Sequence, residues 1–390
     1  MATKRWKNKG RQSTSHLTVN GRVSVQRTVY WNRQDGTRVP LDLWLGIDTR
    51  RFSPGIREMC SRESLHKSFH CAATDLGRTA QIRLSKQTLR KIIHAEGHSV
   101  ARQQRRGQWG PDWTATDCRD AGEESCSVIT GADGVMVPLV TEVEKAKRRA
   151  SRRKKGPKAR CRRRGIRRGS DQSYKEFKIV AFYDPSHTHQ YAAGTSGDCN
   201  ALGRLMRRLA CRIKLDQADV AYSVSDGAKW ILRQYNQQLP MLKVNILDYY
   251  HLRDHVIAAS YCVFGDNTPE ATAWREEMMG VVLDHGALAL LDRIGELRRS
   301  LRAKGKRAAL ESLRQYVASR VDMLAYPAFR AEGLDIGSGP TEAFCKTLTS
   351  RLKGPGMRWD KPHAEGMMAL ASIYSSGMWN AYWTTQRQAA

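Results

Sequence analysis

Apolar and polar positions change period several times along the chain, and each change predicts an element. In "RVSVQRTVYW" the residues Val23, Val25, Val29 and Trp31 alternate with polar ones, and "QDGT" follows as a hairpin turn. Residues 17–47 therefore read as a small β unit. From Leu65 the spacing becomes helical through Phe69, Ala73 and Leu76; Gly77 breaks the run, and Ser85 opens a second helix with Leu89, Ile92 and Ile93 inside. A polar stretch rich in Arg, Gly and Asp, about residues 101–123, reads as a linker. "SVITGADGVMVPLVTEV" then reads as strand, turn, strand with Asp133 at the break, and "EFKIVAFYD" resumes strand character at Phe177. Residues 200–215 predict a basic helix, Val220–Val224 a short buried strand, Lys229–Gln238 a helix and "LKVNILD" another buried strand. This alternation implies a mixed α/β sheet. From His251 to about Phe329 the pattern is wholly helical, and a final helix begins near Pro340.

Composition narrows the partner. The 390 residues are enough for two or three domains, and 66 Lys and Arg against 38 Asp and Glu give a formal charge of +28. A polyanion is expected. No apolar run approaches the roughly 18 to 20 residues of a membrane span, so double-stranded DNA is the expected partner and a membrane is not. The start, "MATKRWKNKGRQSTSH", is basic without the apolar core of a secretory signal, which predicts a cytoplasmic, nucleoid-associated protein of a bacterium. The nine cysteines stand singly with no C-x-x-C pair. They read as reduced thiols, neither zinc ligands nor disulfides.

The charge is concentrated. Fifteen of the twenty-four residues from Lys145 to Arg168 are Lys or Arg, among them Arg152, Arg153, Arg162 and Arg163. Because the run interrupts a predicted β hairpin, it reads as a DNA-facing loop that orders on a phosphate backbone. The helix "SKQTLRKIIHAEG" carries Lys86, Gln87, Arg90 and Lys91 on its polar side, residue types that reach bases and phosphates from a major-groove helix. A helix-turn-helix and an ordinary helical hairpin both fit this pair.

Three acids sit at a strand end or a helix start: Asp133, Asp226 in "SVSDGAKWI", and Glu342 in "IGSGPTEAFCKTLTSRLKGPG". In the last, Gly339 can cap, Pro340 suits the first helical position, and Glu342 falls in the first turn. Lys346, Thr349 and Lys353 follow at helical spacing, with Arg358 beyond, a flank suited to a phosphate backbone. Taken singly, Asp-Gly is a common turn and Glu at this position a common cap. Taken together, isolated carboxylates on rigid elements are what phosphodiester chemistry with two Mg²⁺ requires. Asp248 also ends a buried strand, three residues before His251, and rivals the trio as a metal ligand. Asp35 reads as a hairpin turn and Trp274 as helix packing.

These stretches resemble a known family, the DDE transposases of bacterial insertion sequences in the Mutator-like branch. "ADGVMVPLVTEVEKAKRR" is similar to the segment of the first catalytic aspartate, here Asp133, and "SDGAKWI" to that of the second, Asp226. "LPMLKVNILDYYHLRDHV" resembles the segment with a C-or-D-x-x-H motif, here Asp248 and His251. "GSGPTEAFCKTLTSRLKGPGMRW" is similar to the segment of the catalytic glutamate, here Glu342. The resemblance implies an α/β ribonuclease-H-like core with a mixed sheet, interrupted by an all-helical insertion; 342 − 226 = 116 residues separate the second aspartate from the glutamate. It departs at the N-terminus, where relatives often carry a cysteine-bearing, zinc-ribbon-like β unit and residues 17–47 hold no cysteine.

The expected plan is a basic N-terminal β unit (1–50), a helix-turn-helix region (51–100), a linker (101–123), a first core segment (124–251) with the basic loop 145–168, the helical insertion (252–330) and a second core segment (331–390). The resemblance implies a transposase that binds terminal inverted repeats, cleaves them with two Mg²⁺ (Mn²⁺ able to substitute) held by Asp133, Asp226 and Glu342, and joins the ends to target DNA. It would work as a dimer or larger assembly on DNA. A nuclease without strand transfer and a domesticated DNA-binding protein are the alternatives.

Overall fold

The computed structural model describes residues 6–45, 51–119, 125–154, 174–354 and 357–388. The chain divides into two compact units, one formed by Met1–Trp109, Met136–Lys175 and Thr347–Ala390, the other by Gly110–Val135 and Glu176–Lys346.

The first unit opens with an antiparallel sheet in the order β1 (Lys7–Thr18), β2 (Gly21–Asn32), β3 (Gly36–Arg38), with the expected turn between Asn32 and Gly36. β1 is an addition to the sequence reading: "KNKGRQSTSH" has no apolar alternation, and it is a strand because β2 pairs with it along ten residues. Helices follow as α1 (Pro40–Trp44), α2 (Pro54–Ser64), α3 (Phe69–Thr79), α4 (Lys86–Arg105) and α5 (Glu142–Lys154), with α13 (Lys361–Ser375) and α14 (Trp379–Gln388) at the C-terminal end.

Several details depart from the periodicity. The helix expected from Leu65 starts four residues later as α3, with Leu65 the C-cap of α2, because Ser68 caps α3 by accepting the Cys71 amide at 3.1 Å. Gly77 lies inside α3 instead of ending it. Ser85 does cap α4, accepting from Thr88 N at 3.1 Å, but that helix runs on to Arg105. Gly97, which would ordinarily weaken a helix, is needed mid-α4: a Cβ there would stand 2.6 Å from the Gly366 carbonyl of α13. α2 and α4 are joined by a buried ion pair, Arg57 Nε to Glu96 Oε1 at 2.8 Å. The basic run begins as helix α5, and the helix near Pro340 is followed by two more.

The second unit holds a five-stranded mixed sheet in the order β6 (Gln190–Thr195), β5 (Lys175–Tyr183), β4 (Ser127–Val137), β7 (Val220–Ser225), β8 (Asn245–Leu247). β5 and β6 are an antiparallel hairpin, while β4, β7 and β8 run parallel. The central strands are buried on both faces: Val128 to Ala132 in β4 and Phe177 to Tyr183 in β5 are continuous buried runs. β4 is one strand where a strand, turn and strand were expected, so Asp133 lies within it. α6 (Cys199–Arg212) and α7 (Lys229–Gln238) pack together. Then α8 (Tyr249–Phe264), α9 (Pro269–Ser300, kinked at Gly286), α10 (Lys304–Ala318) and α11 (Tyr326–Ala331) pack on one another. Trp274 is buried in this cluster beside Phe264, as expected of a packing residue. α12 (Gly339–Lys353) begins in the second unit and ends in the first. Among the described residues no helix is long and apolar enough to cross a membrane.

Candidate active site

Strand register brings the first two acids level. β4 and β7 pair in parallel with Thr130 opposite Ser223, so three residues further along each strand stand Asp133 and Asp226. β7 and β8 pair with Ser225 opposite Leu247, which sets Asp248 level with Asp226 in turn. Three aspartates thus occupy one edge of three adjacent parallel strands, the position where an α/β sheet ordinarily places its site.

A glycine admits the fourth acid. Gly131 shares the Asp133 face of β4, two residues away, and a Cβ on it would lie 1.8 Å from Thr341 Oγ1. The first turn of α12 can rest on β4 only because that side chain is missing. Glu342 follows Thr341, and one turn on the Cys345 thiol donates to the Asp133 carboxylate. Burial, with the negative charge of Asp226 added, pushes the Asp133 carboxyl up from its ordinary range. Glu342 is exposed overall, yet the burial it has at the site, followed by the charges of Asp248, Asp133 and Asp254, pushes it up as well. His251 lies in the first turn of α8, where Asp248 Oδ1 accepts its backbone amide at 3.0 Å. Asp133 is within electrostatic reach of Asp226 and Glu342, but the three are not drawn to within 4.8 Å as a group.

Asp226 and Asp248 differ in what they have left to offer. Asp226 follows β7 directly; its Oδ1 accepts the Ala228 amide at 2.8 Å, and Gly227 turns the chain with φ +67°. The side chain stays partly exposed. Asp248 is 1% exposed and caps α8: Oδ1 accepts from Tyr250 N at 2.6 Å and His251 N at 3.0 Å, while Oδ2 accepts from Ser338 N at 2.7 Å and from the Ser338 hydroxyl. Its oxygens are occupied by four donors, and the Ser338 carbonyl accepts the Glu342 amide at 3.1 Å. Asp248 therefore anchors the start of α12. Glu176, a further acid beside Gly134, is ion-paired with buried Lys178.

A family model described as uncharacterised protein family UPF0236 matches residues 2–112. That match ends before β4 and includes none of the acids. No curated protein matches the chain. Among solved structures, a chain of the Drosophila P element transposase strand transfer complex is similar at 13% identity over 83% of this chain and 79% of that one, with a TM-score of 0.26. A likeness that loose carries no argument about function.

The helices before α12 supply residues that no motif singled out. Arg320, just beyond α10, donates from Nη2 to Gly227 O at 3.2 Å and from Nη1 to Tyr316 O at 3.1 Å, with its guanidinium 4.0 Å from the Tyr316 ring centroid. The Tyr316 hydroxyl donates to Asp226 O at 3.4 Å, and its ring stacks on His255 at 3.8 Å. His255 in turn meets His251 edge-on at 5.4 Å. The Asp226 turn is thus held by residues about ninety positions away. His255 and Asp254 had a faint signal, spaced one turn from His251; Tyr316 and Arg320 had none.

The expected DNA contacts are distributed unevenly. Lys86, Gln87, Arg90 and Lys91 are all exposed on the first turns of α4, and Lys346 and Lys353 are exposed on α12. Thr349, expected on the same flank, is fully buried. Arg358 is partly exposed and engaged, and its neighbour Trp359 is buried. Arg351 turns inward, donating to Ser64 O at 3.1 Å between the rings of Phe69 and Trp359. Arg152 and Arg153 belong to the backbone of α5, and Arg162 and Arg163 lie outside the described residues.

Proposed function

We propose that the chain is a DNA transposase that binds the terminal inverted repeats of an insertion sequence and catalyses strand cleavage and strand transfer on a ribonuclease-H-like core. The observation that carries this reading is the level placement of Asp133 and Asp226 on adjacent parallel strands, with Glu342 brought over them by the Gly131–Thr341 contact. The strand order supports it too: the first strand is central, an antiparallel hairpin lies to one side and two parallel strands to the other.

The donor set fits Mg²⁺, which takes hard oxygen ligands. Asp133 is raised by burial and the charge of Asp226, and Glu342 by burial and the charges of Asp248, Asp133 and Asp254, a penalty that bound cations remove. Asp133, Asp226 and Glu342 would hold two ions, Mg²⁺ or Mn²⁺, and when bound these supply charge neutralisation at phosphorus and an activated attacking oxygen. The chain's own residues do the rest. Gly227, Tyr316 and Arg320 fix the turn that carries the Asp226 carboxylate, and Asp248 fixes the turn that presents Glu342. Both attacks, of water and of the 3′ hydroxyl, proceed in line. Lys86, Gln87, Arg90 and Lys91 would contact the repeat, while the 145–168 run would add sequence-neutral affinity. Pairing two ends requires at least a dimer on DNA.

A labelled terminal-repeat duplex incubated with Mg²⁺ and target DNA tests the reading. Joined products are expected from the wild type and none from Asp226→Asn or Glu342→Gln. Cleavage without joining would make the protein a nuclease, and binding alone a domesticated DNA-binding protein. Cleavage by both variants at wild-type rates would remove these acids from the site.

A further inference from the structure

At the hairpin edge of the same sheet, the segment before β4 and the β5–β6 loop bring a thiol, a carboxylate and an imidazole together. Cys118 ends a short 3-10 turn, Ala115–Asp117, and is 2% exposed. Asp184 ends β5 and is 3% exposed, and half-buried His189 precedes β6. Their ligand atoms all lie within 4.8 Å of one another, and among the described residues this is the one such trio of His, Cys, Asp or Glu.

The cluster is preorganised. The loop "DPSHTH" is closed by Asp184 N to His189 O at 3.0 Å, His189 N to Asp184 Oδ1 at 3.1 Å and His187 N to Asp184 O at 3.0 Å. His189 Nδ1 lies 3.0 Å from Asp184 Oδ2, which also accepts from Ser186 Oγ at 3.2 Å. Trp113 covers the imidazole, ring centroids 5.8 Å apart. Asp117, next to Cys118 in the chain, is committed to the turn: its Oδ2 accepts from Thr114 N at 2.7 Å and from Thr114 Oγ1 at 2.8 Å.

We propose that Cys118, Asp184 and His189 bind a structural Zn²⁺ that ties the segment before β4 to the β5–β6 hairpin. A thiolate and an imidazole beside one carboxylate is a borderline-soft set that selects Zn²⁺ over the Mg²⁺ taken by an all-carboxylate site. The 66 residues from Cys118 to Asp184 (184 − 118) explain why no sequence spacing announced it. Binding involves no electron transfer: the Cys118 thiol proton passes to solvent, sulfur bonds to the metal, and the imidazole and carboxylate contribute lone pairs. The tie would hold the sheet edge whether or not the acids catalyse anything, so its failure is separable from that of the transposase reading.

The test uses the full chain, stripped with chelator and titrated with Zn²⁺ or Co²⁺. One tightly held Zn²⁺ per chain is expected, with a sulfur-to-cobalt charge-transfer band for the Co²⁺ form. Both should be lost in Cys118→Ser and His189→Gln and kept in Asp133→Asn and in the control Cys126→Ser. Where a variant fails to fold, hydrogen exchange on the wild type decides: added Zn²⁺ should slow exchange in residues 183–190. Absence of the cobalt–sulfur band, its persistence in Cys118→Ser, or exchange in the hairpin indifferent to Zn²⁺ would overturn the site.

Discussion

Asp226 and Asp248 stand level on neighbouring strands, yet one carboxylate serves a turn and stays partly open while the other is consumed by four donors. Their variants should therefore differ in kind. Asp248→Ala removes a helix cap and leaves buried amides without an acceptor, a loss of about 2 to 4 kcal/mol in urea denaturation. Asp226→Asn keeps an oxygen for the Ala228 amide and should shift stability by less than about 1 kcal/mol while abolishing cleavage. In the first unit, His94 stacks on His363 at 3.7 Å, and burial, aided by the charges of His363 and Arg90, pushes it down to about 3. Burial alone would raise Asp360, but hydrogen bonds from His363 and Lys145 outweigh it and hold that carboxylate well below its ordinary range. A histidine with lowered affinity for protons loses stability as pH falls below its unfolded value of about 6.5, and a carboxylate with a lowered value loses it as pH falls below about 4. Both act in one direction. Thermal melts should fall in midpoint between pH 7 and pH 4, and His94→Gln should flatten the upper part of that fall.

At the scale of elements, the docking of α12 on β4 decides whether a site exists. Gly131→Val cannot coexist with Thr341 at its present distance, so the helix must shift and take Glu342 with it. Mg²⁺ affinity, read by calorimetry, should drop at least about tenfold, as when the supports of metal ligands are disturbed, and Thr341→Gly in the same chain should recover part of it. The clamp beyond α10 makes a parallel case: Arg320→Ala should lower the cleavage rate about 10- to 100-fold by loosening the Asp226 turn, with repeat-DNA affinity in an anisotropy assay unchanged. Periodicity located α4, α7, β7 and the Ser85 cap because local chemistry specifies them. It missed β1, the start of α3 at Phe69 and the unbroken β4, since a partner strand or a cap outweighs the apolar count there.

For the whole molecule, a charge of +28 predicts DNA affinity that collapses with salt. Replacing six cations of the 145–168 run by glutamine should reduce the slope of log affinity against log salt by about 5, roughly one unit for each phosphate left unneutralised. Substituting Gln87 and Arg90 should instead weaken preference for the repeat over random duplex.

Residue chemistry along the chain was enough to find the strand ends that carry Asp226 and Asp248 and the helix start that carries Glu342, because turns, caps and buried strands are written in neighbouring residues. Distance in sequence hides the remainder. That Asp133 and Asp226 stand level is a fact of register, and that Asp248 anchors a helix start is a fact of its four donors. Tyr316 and Arg320 reach the Asp226 turn, and Cys118 meets His189, only once helices and strands have packed. These meetings join residues 71 to 93 apart (189 − 118 and 320 − 227), beyond the reach of any local period.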